Sequence, residues 1–166
     1  MAAIFYNADE VFEMALQIER NGENFYAKAS DIVTDPKARE MLVKLRDMER
    51  NHQKIFSHLR QKLRDPAIEP LVFDPDGQLG LYLRAAADTH VFNINQNPQD
   101  MINDNSSARE IMNVAIQFEK DSIVYFLGME DMVPEKLGKE NVTRLINEEK
   151  QHILFIRETM GPLVQQ

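Results

Sequence analysis

Residues 47–52 read Asp47-Met48-Glu49-Arg50-Asn51-His52, and residues 147–152 read Asn147-Glu148-Glu149-Lys150-Gln151-His152. Each stretch carries a Glu-x-x-His motif, and the two motifs stand 100 residues apart. Positions i and i+3 of a helix share a face, so each glutamate and its histidine aim at one place. Thirty residues before each motif glutamate stands a further one, Glu19 and Glu119, again 100 residues apart. Six potential metal ligands thus recur in one register with no gap.

The sequence around them reads as four helices. The first begins near Asn7, with Glu10 in a capping-box-like position, and presents Phe12, Ala15, Glu19, Gly22, Tyr26 and Ala29 on one face. Residues 31–35 read as its turn. The second opens at Asp35-Pro36, an N-cap followed by proline at the first helical position, and closes at Asp65-Pro66. Its stripe is Leu42, Leu45, Glu49, His52, Phe56 and Leu59. The third starts at Ser107, with Glu110 completing a capping box, carries Ile111, Ala115, Glu119, Ser122, Phe126 and Met129 inward, and ends at Val133-Pro134. The fourth starts near Lys136 or Lys139, carries Val142, Leu145, Glu149, His152 and Ile156, and is expected to stop at Gly161-Pro162.

Each half, about 7–63 and 107–160, reads as an αα-hairpin. The crossover, 64–106, holds the turn Asp74-Pro75-Asp76-Gly77, an Asn-rich run over 93–105, and a short helix expected over 78–92. A structureless connection of that length would count against the assignment, so the short helix matters. The expected fold is all-α: a four-helix bundle of two αα-hairpins with a long crossover, forming a single domain over residues 1–166.

Bulk composition agrees. The chain has 166 residues, 43% hydrophobic and 28% charged, which suits one globular domain. A net charge of −8 with no basic stripe argues against a nucleic-acid partner. Cysteine is absent, which excludes disulfides, thiolate zinc sites and iron–sulfur clusters and fits a reducing compartment. The first ten residues have no basic n-region or long apolar h-region, and no window approaches the roughly 18 apolar residues of a membrane span. The expected location is the cytoplasm, with no membrane partner.

In a bundle the six residues converge at one level of the core. A buried lone carboxylate costs several kcal/mol or shifts its pKa, and four together also repel one another. Two divalent cations cancel four carboxylates, while neutral imidazoles add no charge. Mixed oxygen and imidazole donors favour iron or manganese, and affinity also admits zinc. Six side chains for two metals require bridges. Glu49 and Glu149 are assigned as bridges, Glu19 and Glu119 as terminal ligands, and His52 and His152 as one nitrogen ligand each. Positions then stay open for peroxide or dioxygen.

These motifs, Ala15-Leu16-Gln17-Ile18-Glu19, Glu49-x-x-His52, Ala115-Ile116-Gln117-Phe118-Glu119 and Glu149-x-x-His152, resemble those of ferritin-like proteins of the rubrerythrin group. The segment Glu19-x-x-Gly22-x-x-Phe25-Tyr26 resembles rubrerythrin-type first helices, and the resemblance spans about residues 7–160. It implies a ferritin-like bundle holding two iron ions and a non-haem di-iron oxidoreductase that reduces peroxide or dioxygen. Rubrerythrins usually add a rubredoxin-like domain with four cysteines. This chain has none, so electrons must come from an external donor protein. Rubrerythrins also commonly place a further glutamate one turn past the third-helix ligand, where this chain has Ser122. Two other functions fit the same centre: ferroxidase activity for iron storage or detoxification, and a structural metal-binding bundle without turnover. A homodimer or higher homo-oligomer is the expected assembly.

Other residues near the site are weighed against plain packing. Tyr26 and Tyr125 are candidate catalytic residues that hydrogen-bond a ligand or relay an electron; the alternative is a core aromatic role. Glu23, one turn after Glu19, is a candidate extra carboxylate. Glu148 reads as solvated, with support of a ligand as its other role. His58 and His90 read as surface residues, and the nine methionines as core filling.

Overall fold

The computed structural model describes residues 8–62, 78–89 and 98–163. In chain order the helices are α1 (Ala8–Ile32), α2 (Pro36–Lys62), the short α3 (Gln78–Thr89), α4 (Ala108–Met132) and α5 (Lys139–Leu163). Single 3-10 turns occur at Pro98–Met101 and Glu135–Leu137, and no strand occurs among the described residues. The expected start at Asn7, the stop at Asp65-Pro66, the turn at 74–77 and His90 lie outside the described residues.

The local signals act as their chemistry dictates. The Asp35 carboxylate accepts the Ala38 N–H at 2.8 Å and opens α2, with Pro36 at a position where no N–H is needed. At α4 the capping box is complete: Glu110 N–H donates to the Ser107 hydroxyl at 3.2 Å, and Ser107 N–H donates to the Glu110 carboxylate at 2.8 Å. Val133 and Pro134 end α4 with Val133 in an extended conformation. Gly138 precedes α5 with φ 99°, and a Cβ there would fall 2.8 Å from the Leu59 side chain. Both the angle and the close approach call for glycine.

Two boundaries differ from the pattern. The turn expected over 31–35 is confined to residues 33–35, because α1 continues through Ile32. Val33 is buried and its N–H still bonds Ala29 C=O at 3.1 Å, while Arg39 Nε caps the Ser30 carbonyl at 3.0 Å. These contacts hold the last turn helical. At the other end, α5 runs past Gly161-Pro162 to Leu163. A proline in the final turn removes a donor without interrupting any later turn.

α1 packs along α2 and α4 along α5, and the hairpins close on each other through α1 with α4 and α2 with α5. α3 lies on α4, with Leu83 buried and the Tyr82 hydroxyl donating to Val124 C=O at 3.2 Å. The end of the crossover is tied to α1 by Lys28 Nζ, which donates to Ile102 C=O at 2.7 Å. At one end of the first hairpin Arg60 of α2 pairs with Asp9 of α1 at 2.7 Å and with Glu13. The bundle is all-α and built of two αα-hairpins, as the pattern predicts. No helix among the described residues is long and apolar enough to cross a membrane.

The core is layered along the bundle axis. Phe12, Phe56 and Phe126 meet edge to face and tilted, with centroids 6.4 and 5.1 Å apart. Phe25, Tyr26 and Phe118 form a second aromatic group, at 5.3 and 6.3 Å. On α1, Glu19 lies between Phe12 and Tyr26, about two turns from each. The acids therefore sit between two apolar layers, whose burial is worth about 2 kcal/mol per large side chain.

Ser107→Ala removes the hydroxyl of the α4 capping box. It is expected to cost about 1 kcal/mol, read as a lower midpoint at unchanged slope in urea unfolding. An unchanged midpoint would show that the cap carries no stability.

Candidate metal centre

Each helix of the bundle contributes to one buried cluster. Glu19 comes from α1, Glu49 and His52 from α2, Glu119 from α4, and Glu149 and His152 from α5. All six are at most 1% exposed. Two ligand groups form, Glu19, Glu49, His52 and Glu149 in one, and Glu49, Glu119, Glu149 and His152 in the other, with ligand atoms in each within 4.8 Å of one another. Glu49 and Glu149 belong to both groups. Each group takes residues from both hairpins.

The imidazoles face each other, nearly parallel, with centroids 5.5 Å apart and planes at 9°. Both turn Nδ1 toward the acids. His52 Nδ1 lies 2.9 Å from Glu149 and 3.3 Å from Glu19. His152 Nδ1 lies 2.9 Å from Glu149, 3.4 Å from Glu119 and 3.5 Å from Glu49. Both oxygens of Glu19, Glu49 and Glu149, and Nδ1 of His52, nonetheless lack a hydrogen bond of acceptable angle among the described residues. Buried polar atoms are normally satisfied. Orphaned donor atoms of this kind, converging from two sides, fit a pair of cations.

Without metal, protons must do the work of the cations. Burial, then the neighbouring Glu149 and Glu19, push the Glu49 carboxyl well up. Burial and Glu149 raise Glu119 to about 8. Burial also opposes ionisation of Glu149, yet the facing His152 and His52 hold its carboxyl well below the usual range. For His52 burial favours the neutral ring, but Glu149 and Glu19 override it and raise its pKa; for His152 the same is done by Glu119 and Glu149. The proton-filled cluster thus sets two charged imidazoles against the Glu149 carboxylate.

The remaining candidates separate clearly. Tyr26 is fully buried and its hydroxyl donates to Glu119; burial and the acids hold its phenol proton in place. Tyr125 donates instead to the Val11 carbonyl at 3.0 Å, tying α4 to α1. Glu23 is in neither ligand group; Arg50 pairs with it at 2.7 Å and Gln53 donates to it at 2.7 Å. Ser122 is buried and donates to Phe118 C=O at 3.0 Å. His58 is exposed. Of the two readings of Glu148 the structure realises the second, support of a ligand: the side chain is half-buried and its carboxylate lies 2.9 Å from His52 Nε2, across from α5 to α2. Its place next to Glu149 was the only signal in the sequence, since the contact crosses between helices.

Gly22 explains a further detail of α1. A Cβ there would fall 2.7 Å from the Phe118 ring and 3.2 Å from the Glu49 carboxyl carbon. Glycine inside a helix costs about 1 kcal/mol relative to alanine. Here it admits the ring and the acid against the α1 backbone.

Comparison with known proteins places the fold. A crystal structure from Thermotoga maritima, provisionally described as a ferritin-like diiron-carboxylate protein, superposes with a TM-score of 0.66 at 21% identity, covering 95% of each chain. No family model and no curated protein matches the sequence.

The close packing at Gly22 and the protonation of the acids can each be tested. Gly22→Ala should destabilise by about 1 kcal/mol net, because overpacking outweighs the gain in helix propensity. A higher unfolding midpoint would show that the close approach is slack. The protonation test concerns pH. Raised pKa values mean that the folded chain binds those protons more tightly than the unfolded chain. The stability they give is complete below the unfolded values and is lost as pH rises through the folded ones. For Glu119 that window runs from 4.5 to about 8, and the raised histidines act in the same direction. The Tm of chelator-treated protein should therefore fall from pH 5 toward pH 8. Bound divalent metal, which replaces the protons, should reverse the slope. A Tm of the metal-free protein that rises over this range would refute the assignment.

Proposed function

We propose that the chain is a non-haem di-iron oxidoreductase of the rubrerythrin-like kind, which reduces peroxide or dioxygen. The observation that carries this reading is the pair of buried ligand groups sharing Glu49 and Glu149. In this reading Glu19 and His52 would hold one ion, Glu119 and His152 the other, and Glu49 and Glu149 would be shared as bridges. Iron is the assigned metal; manganese and zinc fit the same donors. The diiron description of the Thermotoga maritima neighbour supports the choice.

A ferrous pair held there would supply the two electrons needed, with two protons, to convert hydrogen peroxide into two waters. The chain's own residues prepare that chemistry. The aromatic layers of Phe12, Phe56 and Phe126 and of Phe25, Tyr26 and Phe118 enclose the acids in apolar walls. Low surrounding polarity strengthens the hold of carboxylates on cations. Tyr26 fixes Glu119 by donating its hydroxyl proton, and so sets the orientation of one terminal carboxylate. Tyr125 acts on the scaffold, through Val11. The chain has no cysteine to hold an iron–sulfur or rubredoxin-type centre, so a separate electron-donor protein completes the cycle. We place the protein in the cytoplasm, as a homodimer or higher homo-oligomer.

The test is metal stoichiometry together with turnover. Protein loaded anaerobically with ferrous iron should hold two irons per chain and consume peroxide or dioxygen in proportion. Glu49→Ala and Glu149→Ala should each lose both irons, measured by metal analysis, because a bridge serves both positions. Retention of one full equivalent in either variant would overturn the bridging roles. Bound iron without oxidant consumption would leave a structural metal centre. A closed many-subunit shell that takes up far more than two irons per chain would make it a storage protein.

A further inference from the structure

The two halves match at all six ligands, but not around the histidines. His52 turns Nδ1 to the acids and Nε2 outward, where the Glu148 carboxylate meets it at 2.9 Å. With Nδ1 given to a metal, Nε2 carries the ring proton and donates it to Glu148. Glu148 is itself steadied: Arg144, one turn earlier on α5, lies 3.5 Å from its other oxygen.

His152 is differently placed. Its Nε2 is buried and has no hydrogen-bond partner among the described residues. The residue 100 positions before Glu148 is Met48, a thioether with almost no accepting power. The residue 100 positions before Arg144 is Lys44, which turns to Glu40 at 2.8 Å. The support present behind one histidine is thus missing behind the other. A carboxylate accepting the outer N–H of a metal-bound imidazole makes the ring a better donor and fixes its orientation, and its removal typically lowers metal affinity about 10- to 100-fold.

We propose that the two metal positions are unequal, with the Glu19–His52 position filling first because Glu148 backs His52 while Met48 leaves His152 unsupported. Glu148 is a positioning residue, acting on the ion through His52. The inference rests on the di-metal reading above and adds an order of occupancy to it. The bridging acids are common to both positions. Tyr26 donates to Glu119 and draws on its charge. That hydrogen bond weakens the second position further, in the same direction.

Anaerobic calorimetric titration of the chelator-treated full chain with cobalt(II) alone tests this. The wild type should bind two equivalents in two resolved steps, the first about 10-fold tighter or more. His152→Ala should keep the tight step, and His52→Ala should lose it. Glu148→Gln, which keeps the size but removes the charge, should weaken the first step about 10-fold and bring the two together. Met48→Glu should tighten the second step. Proton NMR of the cobalt-loaded protein gives a readout that a merely structural role would not move. One slowly exchanging ring N–H, absent in His52→Ala, should exchange faster in Glu148→Gln. Two equal steps in the wild type, or equal weakening of both steps by Glu148→Gln, overturns the proposal and leaves the di-metal reading standing. Absence of any cobalt binding overturns both.

Discussion

Four carboxylates gathered in an apolar core, Glu19 and Glu119 each beside the shared pair Glu49 and Glu149, are the condition to which the rest of the fold answers. Left ionised and unpaired they would push the helices apart. Protons on Glu49, Glu119 and the two histidines relieve part of that repulsion, with Glu149 held firmly as an anion. Divalent ions relieve it more fully, because they also satisfy carboxylate oxygens and the His52 nitrogen that lack a well-aligned hydrogen bond among the described residues. The aromatic layers above and below the cluster raise the cost of leaving it unfilled. Metal affinity and bundle closure are therefore two aspects of one electrostatic problem.

The same condition governs small choices. Gly22 lies where the Phe118 ring and the Glu49 carboxyl come against the α1 backbone. Tyr26 gives Glu119 a donor that is neither water nor metal. Tyr125 spends its hydroxyl on Val11 and so locks α4 to α1 near one aromatic layer. The tie of Lys28 to Ile102 holds the end of the long crossover against α1.

Most of this architecture could be read from residue spacing. A period near 3.6 put Glu19, Glu49, Glu119 and Glu149 on the same stripes as Ala15, Leu45, Ala115 and Leu145, all of which are buried. Asp35-Pro36 and Ser107 with Glu110 marked helix starts because capping is local chemistry. Spacing is silent where partners lie on different helices. Glu148 looked solvated because it adjoins a ligand on the polar side of its own helix, and only the approach of α2 to α5 brings it to His52. Tyr26 and Tyr125 occupy similar stripe positions, yet one reaches an acid and the other a backbone carbonyl. The ends of α1 and α5 moved for a related reason. Packing of buried Val33 extends the first, and a proline in the last turn has no further turn to break in the second.

Glu148 and Met48 illustrate the effect of building such a centre on one polypeptide. Two identical hairpins joined as a symmetric pair would carry every substitution twice, so a carboxylate behind one histidine would stand behind both. Joining the hairpins through a crossover frees corresponding positions to diverge. The ligands can then stay matched, as the shared cluster demands, while their surroundings differentiate. The covalent link thus gives this fold a degree of freedom that an isologous assembly of halves lacks: it can make two chemically like ions inequivalent without altering a single bond to either.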